Sequence, residues 1–294
     1  MGVNEILTLA NDQLEVSILD PVQDRIRLGS RYCTGGYVYS VTDRRLGVIT
    51  SGPGYPDEEY PPVFDGQGLP EAFPFPLWPG MDPAAPPNTL PPVGTTMLVI
   101  GVGLARATEQ SQLRVMPVDE FCHWDITQSS SAVVMNTSQA FADWALELSR
   151  QVTLIDRTII STTKIVNTGR AAFRFRWFPH PFFPLPEGEC CKFNLPVAVA
   201  DNPGYELHGS GFVHTKLDHP WDRRGHFYAV QFTPGDKLVT IQRHPMLGLV
   251  TATCSYTPTF LPIWGNRNCF SFEPYLAQTV APGAEASWSI TYDF

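Results

Sequence analysis

Basic charge is scarce in this sequence: 20 Lys and Arg stand against 29 Asp and Glu, a formal net charge of −9 at pH 7. Phosphate backbones are bound by clustered Lys and Arg that release counterions, and no such stripe is present, so no nucleic-acid partner is expected. Long hydrophobic runs are missing as well. No window approaches the ~20 apolar residues of a membrane helix, and the first ten residues lack the charged-then-apolar order of a secretory signal. The chain therefore reads as a cytoplasmic protein without a membrane partner. The six cysteines, Cys33, Cys122, Cys190, Cys191, Cys254 and Cys269, have no zinc spacing: the adjacent Cys190 and Cys191 are followed by no second Cys pair or spaced His pair. A core this large needs no disulfide staples, so reduced thiols are expected. Gly101 and Gly103 lack the third glycine of a dinucleotide loop and read as strand. Neither a metal nor an organic cofactor is called for.

What is there is alternation. With 294 residues, 43% hydrophobic and 17% charged, the chain has the apolar content for a large core and is read as one domain over 1–294. From Trp144 to Asn167, Leu146, Leu148, Arg150 and Val152 fall on one face of a strand; Asp156 and Arg157 supply a turn; and Thr158 to Val166 returns. After Asn167, Thr168 and Gly169, the stretch Ala172 to Phe178 alternates Phe173, Phe175 and Trp177 with Arg174 and Arg176. Three successive antiparallel strands are expected, although Ala140 to Leu148 also has helix formers. Further strands are expected at Leu14–Leu19, Gly36–Thr42, Met97–Val102, Phe227–Phe232, Leu238–Arg243, Leu247–Tyr256 and Ser287–Tyr292. Many short strands with Gly, Pro, Asn and Asp turns suit an all-β sandwich or barrel; nothing alternates with long helices as a doubly wound fold requires.

Many of the 28 prolines lie between Pro53 and Pro92, mixed with glycine and aromatic residues. Proline fixes φ and removes a donor, so this stretch is not interior sheet. Its aromatic content points to a packed wall or lid of a cleft rather than a linker, which has nothing to bury.

Two segments concentrate chemistry. In Trp177 to Phe183 one imidazole, His180, sits among aromatic rings at the end of a strand; such a histidine is either a satisfied core residue or a proton donor. In Ile263 to Tyr275 one carboxylate, Glu273, ends an apolar strand between Phe272 and Tyr275. A buried carboxylate is costly unless paired, so Glu273 is either salt-bridged or kept for proton transfer.

Together these segments resemble the galactose mutarotase-like superfamily, which contains the aldose 1-epimerases. Thr163 to Phe183, with its Asn167-Thr168-Gly169 turn and His180-Pro181-Phe182-Phe183, looks like the superfamily's strand, Asn-x-Gly turn and His-Pro-aromatic segment, in which the His is the catalytic acid. Cys269 to Glu273 is similar to the late strand that ends in the catalytic base. The ending Ala281-Pro282-Gly283 and Trp288 to Tyr292 resembles its Pro-Gly and final strand. The resemblance implies a β-supersandwich of large antiparallel sheets, an aldose 1-epimerase-like isomerase activity on a hexose or related small sugar, His180 as acid, Glu273 as base and no cofactor. Interconverting anomers requires removal of the C1 hydroxyl proton and delivery of one to the ring oxygen, which one base and one acid accomplish.

The family's second, earlier His in a His-Gly segment has no counterpart: His123, the only earlier His, has a different context. Arg31 is read as a ligand for a sugar hydroxyl or phosphate, or as a structural ion pair. Glu71 and Asp222 are read as sugar ligands or solvated carboxylates. Trp264, with Trp78 and Trp221, is a candidate platform for stacking a sugar. A neutral sugar is expected over a phosphorylated one, because phosphate recognition calls for several placed arginines and only Arg31 suggests itself. The rival reading is a non-catalytic carbohydrate-binding protein of the same fold. A hydrolase or lyase would want a second carboxylate opposite Glu273.

Overall fold

Most of the expected strands form, Phe227–Phe232 splitting at Val230 into His226–Ala229 and Gln231–Phe232 with different partners, and they assemble into sheets dominated by one long antiparallel surface. The structure, a computed structural model, describes residues 7–32, 34–54, 66–81, 89, 91–109 and 116–294. Within them, ten strands hydrogen-bond side by side in the order Tyr205–Leu207, Val213–Thr215, Glu189–Phe193, Val239–His244, Gly248–Cys254, Glu285–Asp293, Thr158–Asn167, Trp144–Ile155, Ala132–Phe141 and Asp125–Gln128. The hairpin turns at Asp156 and Arg157 as the alternation predicts, with Ile155 opposite Thr158 and Leu146 opposite Asn167. Asp156 takes a left-handed φ of 50°, a conformation in which Asp is several-fold enriched. The helix formers of Ala140 to Leu148 lie in strand on both sides of a tight turn at Ala142 and Asp143.

Three expectations are corrected. Phe173–Pro179 does not pair with Thr158–Asn167, whose free edge is taken by Glu285–Asp293. Asn167 turns the chain away: its side-chain amide donates to the carbonyls of Ala171 and Val280, and its oxygen accepts from the Gly169 amide. Phe173–Pro179 then pairs with Leu276–Val280 on one edge and Glu71–Ala72 on the other. Gly101 and Val102 are a turn rather than strand, between Thr96–Val99 and Gly103–Arg106. A short helical segment, Arg25–Tyr32, broken by a kink at Gly29 (φ 57°), appears where none was foreseen.

The proline-rich stretch is partly inside the molecule. Gly66 to Phe73 is buried throughout. The two residues Glu71–Ala72 add to a sheet only as an edge strand between Pro70 and Pro74, where a missing donor is tolerated. The remainder of the expected wall, 55–65, 82–88 and 90, lies outside the described residues.

Aromatic packing joins the layers. Phe175 stacks on Trp288 of the long sheet at 4.9 Å, with Trp177 at 5.5 Å and Phe73 of the proline-rich segment at 6.1 Å. Phe173, Phe175 and Trp177 thus form the inward face of their strand, which turns Arg174, Arg176 and Phe178 to the other side. The site lies on that other side.

A buried imidazole ties the long sheet to the segment beyond Gly47–Val48. His244 Nε2 donates to the Ile49 carbonyl at 2.7 Å, and Nδ1 accepts from the amides of Met246 and Leu247. Burial therefore holds its pKa below the ordinary 6.5, against the opposing pull of the Ile49 hydrogen bond. Burial also lowers His214 and His226. A histidine depressed in the folded state contributes stability that is complete above about 6.5 and is lost as pH falls from there through the folded value. Unfolding free energy is expected to decline between pH 7 and pH 5, less steeply in His244→Gln than in wild type. Equal slopes from denaturant titrations would contradict this assignment.

Candidate active site

His180 begins immediately after Phe173–Pro179, and backbone bonds hold its loop against the proline-rich segment. The amide of His180 donates to the Pro70 carbonyl at 2.8 Å, that of Phe182 to Gly68 at 2.7 Å, and that of Ser51 to Phe182 at 2.9 Å. Gly68 has to be glycine: its φ is +74°, and a Cβ would stand 2.2 Å from the Tyr39 carbonyl oxygen.

Glu273 follows the strand Cys269–Phe272, and its amide donates to the Pro262 carbonyl at 2.8 Å. Alternation along an extended chain puts Ser271 and Glu273 on one face, about 6.6 Å apart, and the imidazole of His180 is held between them. Ser271 Oγ lies 2.8 Å from His180 Nδ1, and Glu273 Oε1 lies 3.2 Å from His180 Nε2. The carboxylate has no proton to give, so it selects a proton on Nε2. When the imidazole is neutral the Ser271 hydroxyl donates to Nδ1; when it is charged, Nδ1–H donates to Ser271. These hydrogen positions are assigned from the network. Both side chains are nearly buried, 8% and 6% exposed. Phe182 stacks on the imidazole at 4.3 Å, with Phe178 at 5.9 Å and Trp264 at 6.2 Å. The site is a carboxylate and an imidazole in direct contact, with aromatic walls.

The other sequence candidates fall at different distances from this pair. Trp264 is part of it: it lies opposite Ser271 on one neighbouring strand and Phe227 on the other, so all three share a face. Asp222 sits in the turn that packs on Trp264, where a Cβ at Gly225 would meet the indole at 2.7 Å. Its carboxylate is engaged by Arg224 at 2.9 Å and by the amides of Arg224 and Gly225; the Arg224 bond above all holds its pKa down. Arg31 lies on the helix with its guanidinium 4.8 Å over the Tyr32 ring, and Tyr32 and Phe182 both line Gly66. Trp78 is buried in the core, and Trp221 packs on Tyr205 at 5.3 Å.

Glu71, read as a sugar ligand or a solvated carboxylate, is instead a buried member of an ion pair. Its side chain is 2% exposed and ion-paired with Arg150, itself fully buried and hydrogen-bonded to Thr163. Its two-residue strand pairs with Phe173–Pro179, while its ion-pair partner comes from the long sheet. Arg150, a lone cation in the apolar alternation of its strand, was the available signal for a buried partner. Ser271 went unnoticed although it precedes Glu273 by the two residues that one strand face requires.

Among the described residues, no three His, Cys, Asp or Glu side chains come together to hold a metal ion, and no helix is long and apolar enough to cross a membrane. The described cysteines Cys122, Cys190, Cys191, Cys254 and Cys269 are free thiols. Burial pushes Cys190 and Cys254 up to about 12, which makes them core residues rather than nucleophiles.

The chain has the galactose mutarotase-like fold. It superposes on the galactose mutarotase related enzyme from Lactobacillus acidophilus with a TM-score of 0.58 and 12% identity, over 98% of this chain and 97% of that one. A galactose mutarotase-like protein from Lactobacillus casei gives 0.56 and 13%, over 98% and 99%. The aldose epimerase homologue from C. elegans gives 0.52 and 11%, over 99% and 98%. No family model and no curated protein matches the sequence.

A positioning effect is expected of Ser271. Ser271→Ala removes the 2.8 Å hydrogen bond to buried Nδ1, a loss of about 1–3 kcal/mol, or roughly 5- to 150-fold in any rate that depends on the aligned imidazole. The accompanying sign is a displaced imidazole limb in the pH–rate profile. A lowered rate with an unmoved profile would assign Ser271 a purely structural part.

Proposed function

We propose that the protein is an aldose 1-epimerase-like isomerase that interconverts the anomers of a hexose or related sugar, with Glu273 as base and His180 as acid. The observation that supports this most is the 3.2 Å contact between two nearly buried, ionisable side chains. Their chemistries are the two that ring opening needs. Glu273 takes the proton from O1, the C1–O1 bond becomes a carbonyl and the C1–O5 bond breaks. O5 takes the Nε2 proton of the imidazolium, which keeps its Nδ1 proton on Ser271. Rotation about C1–C2 presents the other carbonyl face. Closure then returns each proton along the path by which it came, so the pair ends the cycle as it began and consumes nothing. Trp264, partly exposed and packed edge-on against buried Phe182, supplies apolar surface for the sugar's C–H face.

The test is the optical rotation of freshly dissolved α-glucose and α-galactose. Catalytic amounts of protein are expected to hasten the approach to equilibrium well beyond buffer. Sugar binding without acceleration would favour the carbohydrate-binding alternative, and release of reducing ends from a polymer would favour a hydrolase or lyase.

A further inference from the structure

Arg176 is an unusual cation for so acidic a protein. It is half-buried, and among the described residues its guanidinium has neither an ion pair nor a hydrogen bond. Three aromatic rings from separate segments surround it instead: Tyr275 at 4.7 Å, Phe75 at 4.8 Å and Phe260 at 5.8 Å. Rings attract the charge through their quadrupoles but offer the five N–H donors little to bond. Arg174, two residues away on the same strand face, adds a second positive charge rather than a counterion. Burial, opposed by Tyr275 and assisted by Arg174, lowers the Arg176 pKa, and no carboxylate takes part in the balance. A half-buried guanidinium without an anion has given up part of its hydration, a loss that a ligand bringing the anion offsets.

The position of Arg176 says where that ligand lies. Arg176, Phe178 and His180 alternate along one face, and roughly 13 Å of extended chain separates Arg176 from His180. Ring contacts bridge the interval: Phe178 stacks on Tyr275 at 4.5 Å, and Phe178 meets His180 at 5.9 Å. A sugar whose anomeric end meets the His180–Glu273 pair thus has the partly exposed Tyr275 ring, backed by buried Phe178, beneath it and a guanidinium at its far end.

We infer that the substrate is a sugar carrying an anionic group, carboxylate or phosphate, remote from C1, and that Arg176 in its aromatic box is the receptor for that group. This rests on the reading of His180 and Glu273 as the anomer-interconverting pair, and it departs from the neutral sugar expected when Arg31 alone suggested anion binding. A guanidinium fork matches either oxyanion.

Calorimetric titration with glucose, glucuronate and glucose 6-phosphate tests the receptor whether or not turnover occurs. Wild type is expected to bind one of the anions about 10- to 100-fold tighter than glucose, the worth of a charged hydrogen bond; which anion wins identifies the group. Arg176→Gln is expected to abolish that preference, and Arg176→Lys to keep part of it. Arg174→Gln removes the same charge from an exposed position and is expected to change the preference by no more than about threefold. Equal affinities for the three sugars in wild type, or a preference that survives Arg176→Gln, would overturn the inference. A preference that follows Arg176 without any anomerase activity would sustain the receptor and refute the isomerase reading, so the two failures are distinguishable.

Discussion

Glu273→Gln is expected to cut the turnover number for anomer interconversion by about 10²- to 10⁴-fold, the usual contribution of one general base. Glutamine keeps the shape of the side chain and its place beside His180, so the loss isolates the proton-accepting function. His180→Asn is expected to lose a similar factor. The double variant should lose little more than either single one, because acid and base serve a single concerted exchange and removing one disables the other. If the losses instead multiply, the two side chains act in separate steps. Melting temperatures within a few degrees of wild type would show that chemistry rather than folding was removed.

Arg150→Met is expected to be the most damaging substitution for stability. Arg150 and Glu71 are both out of water, with Arg150 bonded to Thr163 and Ser161. Removing one partner of a buried pair strands the other charge, at a cost of about 3–5 kcal/mol, or a fall of roughly 5–8 °C in Tm for a chain of this size. Glu71→Gln in the Arg150→Met background is expected to recover much of that loss, since well-packed neutral replacements of buried pairs are often neutral or better. Because Glu71 adjoins Pro70, whose carbonyl holds the His180 amide, Arg150→Met should also loosen the site and lower turnover at temperatures where the protein remains folded.

The legible parts of the fold were those with local causes. The hairpin Trp144–Ile155 to Thr158–Asn167 shows clean alternation with a charged turn, and its boundaries follow. Ala132–Phe141 escaped notice because two of its inward positions are polar: Thr137 is buried, and Gln139 bonds the Gly101 amide and the Val99 carbonyl. A buried polar pair breaks the pattern while satisfying the backbone of another segment, and only the assembled molecule reveals that. The partner of Phe173–Pro179 was likewise hidden, since a strand about 100 residues later supplies it. At the site, resemblance singled out His180 and Glu273, and the fold places them in contact. The box around Arg176 could not be read in advance, because Phe75 lies far along the chain from Phe260 and Tyr275, which a β-bridge joins.

The central claim, that His180 and Glu273 pass protons to and from a sugar's anomeric centre, is tested most directly by exchange NMR at equilibrium. Cross-peaks between the α and β H1 resonances report interconversion without any net reaction. Their build-up rate is expected to rise in proportion to wild-type protein, with the anionic sugars as well as glucose in the panel, and to fall to the buffer rate with Glu273→Gln and with His180→Asn. Buffer-rate exchange for every sugar that the wild-type protein binds, or accelerated exchange that persists in both variants, would contradict it.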